Sequence, residues 1–173
     1  MAGVGKATNE LRRPRLYLAG PLFTTAERNF NLQLAALLRE KYEVWLPQEH
    51  EQREKTAKEV FLKDVEGIEW ADYVVASMDG ADPDSGTCWE CGFAHGRDIP
   101  VIAYRTDFRA AEEAGKGAYN LMLSQSAEEE ITCPYMEVEE LARAISESIE
   151  RLKLQRGARE SPRERRAAPV ESL

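Results

Sequence analysis

Leu16-Tyr17-Leu18-Ala19 is a short apolar run that stops at Gly20-Pro21, and a helical pattern begins a few positions later. An apolar run of this length, ended by glycine and proline, predicts a buried β-strand. The residues that then recur at helical spacing are Phe30, Leu34, Leu37 and Leu38. This segment therefore predicts a strand followed by a helix.

The same alternation continues along the chain. Further strands are predicted at Val44-Trp45-Leu46, Tyr73 to Ser77, Pro100 to Tyr104 and Ile131 to Cys133. Four further helical segments are predicted. One has Phe61, Val65 and Ile68 on one face, one runs from Thr87 to about His95, and one is a turn near Tyr119 to Leu123. The last is marked by Val138, Leu141, Ile145, Ile149 and Leu152. Strands and helices thus alternate over most of the chain.

Short apolar strands separated by helices predict a mostly parallel sheet with helices on both faces. We therefore expect one three-layer α/β domain over residues 15–156, with a five-stranded sheet. Residues 1–14 and 157–173 lack apolar periodicity and are predicted to be a disordered lead-in and a disordered tail. Such folds bind ligands at the carboxyl ends of their strands, which here are followed by loops at Gly20 to Thr25, Pro47 to Lys55 and Asp79 to Gly86.

The charge balance narrows the class of partner. The 173 residues include 31 acidic and 23 basic side chains and carry a net charge of -8, which disfavours a nucleic-acid partner but is compatible with a nucleoside. No apolar stretch approaches the roughly 18 residues of a membrane span, and the N-terminus lacks the apolar region of a signal peptide. We therefore expect a cytoplasmic protein that binds neither nucleic acid nor membrane.

The loop from Asp84 to Thr87 leads directly into Cys88-Trp89-Glu90. Thr87 to Glu90 fits a capping box, in which Thr87 caps the helix and Glu90 reaches back to its backbone, and the pattern alone favours this interpretation. A carboxylate near a helix N-terminus is also favoured in its ionised form by the macrodipole and the free backbone donors. An ionised Glu90 would suit a nucleophile.

Asp64 lies between Phe61 and Val65, on or beside the apolar stripe of its helix. It is either a solvated edge residue or an inward-facing carboxyl whose raised pKa would suit a proton donor. Asp84 could serve as the donor instead. Because these residues flank loops at one end of the predicted sheet, three carboxylates could converge there. One carboxylate could capture an oxocarbenium-like sugar while another acid protonates the departing base.

Further motifs accompany these residues in order between residues 15 and 125. They are Tyr17-Leu18-Ala19-Gly20-Pro21-Leu22-Phe23, Pro47-Gln48, Asp64 with Gly67-Ile68, Asp84 to Glu90 continuing into Cys91-Gly92-Phe93-Ala94, and Tyr119-Asn120-Leu121-Met122. Together they resemble the nucleoside 2-deoxyribosyltransferase family. The resemblance implies a flavodoxin-like fold and an enzyme of nucleoside salvage that exchanges nucleobases on 2-deoxyribose, with neither a metal nor an organic cofactor.

The resemblance also implies a role for each matching position. Glu90 matches the nucleophile that forms a covalent glycosyl intermediate, and Tyr17 matches a tyrosine that orients it. Asp64 and Asp84 would contact the base, and one of them would help to protonate it. The remaining substrate-binding positions would be Gly20, Phe23, Gln48, Gly86, Asn120 and Met122.

Asn120 matches an asparagine that a neighbouring subunit inserts into the site, so the resemblance implies a homo-oligomer whose other partners are a nucleoside and a free nucleobase. Cys88-Trp89 beside the nucleophile departs from the family pattern, and the bulk of Trp89 leaves the shape of the pocket and the base preference open.

Three other functions remain as alternatives. One is an N-glycosidase that hydrolyses nucleosides or nucleoside 5′-monophosphates, in which Arg97 or Arg105 would pair with a phosphate. Either arginine could equally be a surface charge. Another is a non-catalytic nucleotide-binding or sensor domain on the same fold. The third is a redox or metal function of Cys88 and Cys91. The favoured interpretation of this pair is that both are small apolar side chains that pack a short helix.

Overall fold

A computed structural model describes residues 12–50, 54–109, 118–132 and 134–158. In these ranges the strands are β1 (Arg15–Ala19), β2 (Glu43–Trp45), β3 (Tyr73–Ser77), β4 (Val101–Arg105) and β5 (Glu129–Thr132). The helices are α1 (Thr25–Leu38), α2 (Pro47–His50), α3 (Ala57–Trp70), α4 (Ser85–Gly96), α5 (Leu121–Ser126) and α6 (Val138–Ala158). The predicted alternation of strands and helices is confirmed.

The five strands form one sheet in the order β2-β1-β3-β4-β5, and every neighbouring pair is parallel. This is the strand order of flavodoxin-like folds, which bind ligands where the order of the strands reverses. Here that point lies between β1 and β3, where Ala19 is paired with Ala76. The fold prediction is therefore confirmed.

Alternating side chains of the strands build two apolar cores. In β1, Leu16 and Leu18 pack on one face of the sheet with α1 and α6, while Tyr17 and Ala19 pack on the other face with α3, α4 and α5. This alternation follows from the two-residue period of a strand. It directs Tyr17 towards the helix that carries Glu90.

Local sequence determines where the helices of this second layer begin. Thr56 caps α3 in a capping box with Glu59, and Asp84 caps α4 by accepting a hydrogen bond from the backbone N–H of Thr87. In a parallel α/β fold the helix N-termini lie beside the carboxyl ends of the strands. The first turns of α3 and α4 therefore lie at the edge of the sheet that follows Ala19.

Several element boundaries differ from the predictions. Pro47 starts the short helix α2 within the predicted loop, because proline is well suited to the first position of a helix. The helix α4 starts two residues earlier than predicted, α5 is shifted to Leu121–Ser126 and β5 to Glu129–Thr132, and Cys133 lies outside the described residues. Short elements carry few periodic residues, so their positions are poorly determined by pattern alone.

The predicted lead-in and tail overlap the described residues only in part. Arg12 donates two hydrogen bonds, of 2.9 and 2.7 Å, to the carboxylate of Asp72, and the carbonyl of Pro14 accepts one from the backbone N–H of Glu43. The helix α6 runs to Ala158. The rest of the predicted lead-in and tail lies outside the described residues. No helix within the described residues combines the length and the apolar character needed to cross a bilayer.

Candidate active site

A hydrogen bond between Tyr17 and Glu90 joins the sheet to the second turn of α4. The phenol of Tyr17 is completely buried and donates to Oε1 of Glu90 over 2.5 Å. The pKa of Tyr17 is raised, first by burial and then by the charge of Glu90, so the phenol keeps its proton at neutral pH. Tyr17 is therefore a fixed donor that holds one oxygen of the Glu90 carboxyl group.

Glu90 has an unusually high pKa for a glutamate. Burial is the main cause and raises its pKa from the ordinary 4.5 to about 8; the charges of Asp64 and Asp84 also raise it, whereas the hydrogen bond from Tyr17 lowers it. The expectation that the helix N-terminus would favour an ionised Glu90 is wrong, because desolvation outweighs it. In the free protein Glu90 holds a proton over much of the neutral range.

The predicted capping box at Thr87 is also wrong. Asp84 is the N-cap of α4, and its Oδ2 accepts hydrogen bonds from the backbone N–H and the hydroxyl of Thr87, over 3.0 and 3.3 Å. Aspartate and threonine are both good N-caps, and here they lie three positions apart, so the pattern alone did not distinguish them. Glu90 is thereby left to bond Tyr17.

Asp64 is half-buried on α3, and its negative charge raises the pKa of both Tyr17 and Glu90. Of the two interpretations of Asp64, the structure therefore supports the inward-facing one. Asp64, Asp84 and Glu90 come from two helices and converge beside the carboxyl end of β1. Repulsion of Glu90 by the charges of Asp64 and Asp84 favours retention of a proton within the group.

Gly20, Phe23 and Gln48 lie on or beside the loops that follow β1 and β2. A Cβ atom on Gly20 would lie 3.3 Å from Cβ of Ser77, so this turn passes close to β3. The ring of Phe23 is 75% exposed. Gln48 is buried; its Nε2 donates to the carbonyl of Arg28 over 3.0 Å and its Oε1 accepts from Asn31 over 3.3 Å. Phe23 is thus accessible, whereas Gln48 is buried with one donor and one acceptor of its amide already engaged.

Gly86 lies in the first turn of α4, next to the cap. A Cβ atom at this position would lie 3.0 Å from Oδ2 of Asp84. That is tighter than ordinary contacts, so glycine leaves room for the aspartate that caps the helix. Gly86 therefore helps to position Asp84.

Asn120 and Met122 lie on the other side of α4 from Glu90. Asn120 caps α5 through the backbone N–H of Met122, over 2.9 Å, and Met122 is 71% exposed. Both line a cavity of about 540 Å³ together with Cys88 and Gly92. Cys88 and Gly92 are each two positions from Glu90, which is about 200° around a helix. Within one chain these two predicted site residues are not brought together with Glu90.

A polar brace between the loops after β3 and β4 was not anticipated from the sequence. Asp79 accepts hydrogen bonds from the backbone and hydroxyl of Thr106, both over 2.6 Å, and from the backbone of Asp107 over 2.8 Å. Arg105 is buried and donates to the carbonyls of Met78, Gly80 and Arg109. The brace fixes the start of the loop that leads to Asp84.

The interpretation of Arg105 as a surface charge or a phosphate ligand is wrong, because its guanidinium is directed at backbone carbonyls inside the protein. Arg97 instead pairs with Glu69 over 2.8 Å, with both side chains about half exposed. Such an exposed pair contributes little to stability. The sequence does not distinguish an arginine buried against backbone carbonyls, such as Arg105, from an exposed one in an ion pair, such as Arg97.

Cys88 and Cys91 are free thiols with raised pKa values, the opposite of reactive cysteines. Burial is the main cause for both, and it raises the pKa of Cys91 to about 12. Cys91 lies in the apolar core beneath α4, which supports the packing interpretation. Within residues 12–50, 54–109, 118–132 and 134–158, no group of three histidine, cysteine or acidic side chains could hold a metal ion.

Solved structures share the fold. A conserved protein from Enterococcus faecalis is 26% identical with a TM-score of 0.63, covering 78% of this chain and 98% of its own. A 2-deoxyribosyltransferase from Bacillus psychrosaccharolyticus is 24% identical with a TM-score of 0.58, covering 74% of this chain and 90% of its own. A CMP N-glycosidase from Clostridium botulinum is 19% identical with a TM-score of 0.54, covering 76% of this chain and 98% of its own.

A search of curated proteins finds no significant match. The family model described as nucleoside 2-deoxyribosyltransferase matches residues 16–132, which include all five strands except the first residue of β1, and all the carboxyl groups described above. The match covers well over half of the chain and extends over the motifs at Tyr17, Asp64 and Glu90. This chain therefore belongs to the nucleoside 2-deoxyribosyltransferase family.

Proposed function

We propose that this protein transfers 2-deoxyribose from one nucleobase to another through a covalent intermediate on Glu90. The observation that supports this function best is the 2.5 Å hydrogen bond from the buried phenol of Tyr17 to Oε1 of Glu90, beside Asp64 and Asp84. It orients one carboxyl oxygen and leaves the other for a substrate.

In the first half-reaction, the bond between the anomeric carbon and the base nitrogen breaks as a bond from that carbon to Glu90 forms. Glu90 must lose its proton to attack, and the departing base must gain one. A group of three carboxyls that retains one proton can supply both needs, with Asp64 or Asp84 delivering the proton. In the second half-reaction an acceptor base attacks the anomeric carbon, gives up a proton to the group and releases Glu90.

The loops around the carboxyl group would form the substrate pocket. Phe23 presents an exposed ring suited to stacking on a nucleobase or sugar, while Gly20 and Gly86 let the chain approach closely. Gln48 has one N–H donor and one acceptor lone pair engaged within the protein, which leaves one of each for a base. We therefore expect Gln48 to select among bases rather than to take part in bond cleavage.

Asn120 and Met122 would complete the site of a neighbouring copy. Within one chain both lie across α4 from Glu90, and Met122 is largely exposed. A homo-oligomer that brings α5 of one subunit over the carboxyl groups of another would use both residues. The partners in this proposal are a nucleoside, a free nucleobase and a second copy of the chain.

The proposal is tested by incubating the purified protein with deoxyinosine or thymidine, with and without free adenine, and separating the products by chromatography. We expect deoxyadenosine only when adenine is present, and none from Glu90→Gln. Free sugar in both tubes would instead identify a hydrolase, like the structurally similar CMP N-glycosidase from Clostridium botulinum. Binding without turnover of any donor would identify a binding module.

The chemistry of the proposal requires neither electron transfer nor a Lewis acid, because carboxyl groups supply the nucleophile and the proton. We therefore expect base exchange to continue at an unchanged rate after dialysis against a chelator. Loss of activity that returns with an added divalent ion would contradict this part of the proposal.

A further inference from the structure

An exposed strip of aromatic rings joins the two helices that carry the carboxyl groups. Phe61 of α3 and Trp89 of α4 meet edge to face with their ring centroids 5.2 Å apart, and Trp89 stacks on Phe93 at 5.2 Å with an interplanar angle of 9°. Phe61 is 41% exposed and Trp89 is 46% exposed. Contiguous exposed apolar side chains, unlike single ones, often mark a functional surface.

The Phe61–Trp89 contact spans the same gap between helices as the interaction of Asp64 with Glu90. Phe61 lies three positions before Asp64, so both face the same side of α3. Trp89 directly precedes Glu90 on α4, while the Glu90 carboxyl group reaches the fully buried Tyr17 on the sheet. Glu90 thus reaches the sheet side of the gap, whereas the rings of Phe61 and Trp89 are exposed to solvent.

We propose that the Phe61–Trp89 contact is a barrier to water behind Asp64 and Glu90, and that Trp89 is a positioning residue that favours sugar transfer to a base over hydrolysis. The inference rests on the proposed function. In hydrolysis, the oxygen of a water molecule bonds to the anomeric carbon, the bond from that carbon to Glu90 breaks, and the water proton passes to the carboxyl group. Excluding water from the gap slows this reaction without impeding a base that enters above the strand ends.

The electrostatic surroundings of Glu90 agree with a dry gap. The groups that face it are Tyr17 from β1, Asp64 from α3, and Asp84 and Cys91 from α4, and desolvation is the largest influence on its pKa. The cations nearby lie at the ends of the aromatic strip. Lys58 is 4.8 Å from the centroid of Phe61, and Arg97 is 5.0 Å from the centroid of Phe93. Measurements at two salt concentrations separate their influence from that of water, because added salt screens exposed charges.

The test compares Trp89→Ala with Trp89→Phe, which keeps an aromatic ring, and with Leu62→Ala. Leu62 is an exposed apolar residue beside Phe61 and is a matched control. Each protein is given a deoxynucleoside and a free base, and the ratio of released sugar to exchanged nucleoside is measured. In parallel, NMR of carbon-labelled glutamate carboxyls follows the titration of Glu90 in the free protein.

For Trp89→Ala we expect the hydrolysis-to-transfer ratio to rise by about tenfold, and the titration of Glu90 to move from about 8 towards its ordinary value, at low and high salt alike. Trp89→Phe should restore most of both properties, and Leu62→Ala should change neither. If Trp89→Ala does not fold, Phe61→Leu breaks the same contact and should raise the ratio in the same direction.

An unchanged ratio together with an unchanged Glu90 titration would overturn the proposal. So would loss of activity that accompanies dissociation of an oligomer while the Glu90 titration stays in place, since that outcome assigns Trp89 to a subunit interface. If the wild-type protein neither transfers nor hydrolyses, the proposed function fails, and an unmoved Glu90 titration in Trp89→Ala would refute the barrier as well.

Discussion

At the scale of single residues, the Tyr17–Glu90 hydrogen bond joins groups that are 73 positions apart in the chain. Tyr17 faces the helix layer because it alternates with Leu16 and Leu18 along β1. Glu90 reaches it because the cap of α4 is Asp84 rather than Thr87. A shift of one residue in either element would separate them. The geometry of the pair therefore depends on the register of β1 and on the cap of α4.

Tyr17→Phe should move the acid limb of the pH–activity profile to higher pH. The hydrogen bond from Tyr17 lowers the pKa of Glu90, so its removal raises that pKa and leaves less of the ionised nucleophile at pH 7. A hydrogen bond to a charged group contributes about 1.5–3 kcal/mol, which corresponds to a shift of about one to two pH units. The measurement is kcat/KM against pH; a limb that stays in place would contradict the role of Tyr17.

Glu90→Gln should change stability in a pH-dependent way. The pKa of Glu90 is raised to about 8 in the folded protein against an ordinary 4.5, so its contribution to stability is fully present below about 4.5 and is lost as pH rises through about 8. Glutamine does not ionise and avoids this loss. The free energy of unfolding of Glu90→Gln minus that of wild type should therefore be larger at pH 8.5 than at pH 5. Denaturant titrations at both pH values check this, and an equal difference would contradict a raised pKa.

Glu90 and Tyr17 could be selected from the sequence because their motifs resemble those of the family. The direction of the Glu90 pKa could not, because it depends on burial and on Asp64, which lies on a different helix. The environment of Arg105 was equally hidden, since a buried arginine and a surface arginine look the same in a sequence. Long-range packing supplies what the local pattern lacks.

At the scale of elements, Asp84 is both the cap of α4 and a charge beside Glu90. Asn and Asp cap helices about equally well, so Asp84→Asn separates the two roles. Asp84→Asn should retain stability but lower the pKa of Glu90, because one repelling charge is removed. Asp84→Ala should also lose about 1 kcal/mol of unfolding free energy. Denaturant unfolding and the pH–activity profile measure both; equal destabilisation of the two variants would contradict the capping role.

Gly67 lets α3 pack directly on the ring of Trp45. A Cβ atom on Gly67 would lie 2.5 Å from two atoms of that ring, so Gly67→Ala should destabilise the protein by about 1–3 kcal/mol despite the better helix propensity of alanine. Gly92→Ala on α4 is the matched control, because a Cβ atom there meets no atom within 4 Å. It should gain about 0.5–1 kcal/mol. Urea unfolding of both variants checks the difference, and destabilisation by both would contradict the packing explanation.

The sequence predicted the long elements well, since apolar residues repeat through α1, α3 and α6 at helical spacing. It failed for short ones. The helix α2 has four residues and no repeat to detect, and the start of α4 was ambiguous because Asp84 and Thr87 are both competent caps. The fold follows from the periodic segments, whereas the detailed site depends on the short ones.

At the scale of the whole molecule, Asn120 and Glu90 can share a site only if two chains associate, as the proposal requires. Glu90→Gln and Asn120→Ala should each be inactive alone, yet a mixture should regain activity after subunit exchange. In a mixed dimer one of the two sites has both native residues, so about a quarter of wild-type activity is expected after random mixing. Sedimentation confirms the assembly, and a mixture no more active than its components would place Asn120 outside the partner's site.

A covalent adduct on Glu90 would establish the proposed reaction. The protein is incubated with a 2-fluoro nucleoside, whose fluorine slows breakdown of the intermediate, then digested and examined by mass spectrometry. We predict a fluorinated sugar on the peptide that contains Glu90, its disappearance when an acceptor base is added, and none in Glu90→Gln. Continued base exchange without an adduct at Glu90, or an adduct on a different residue, would contradict the mechanism.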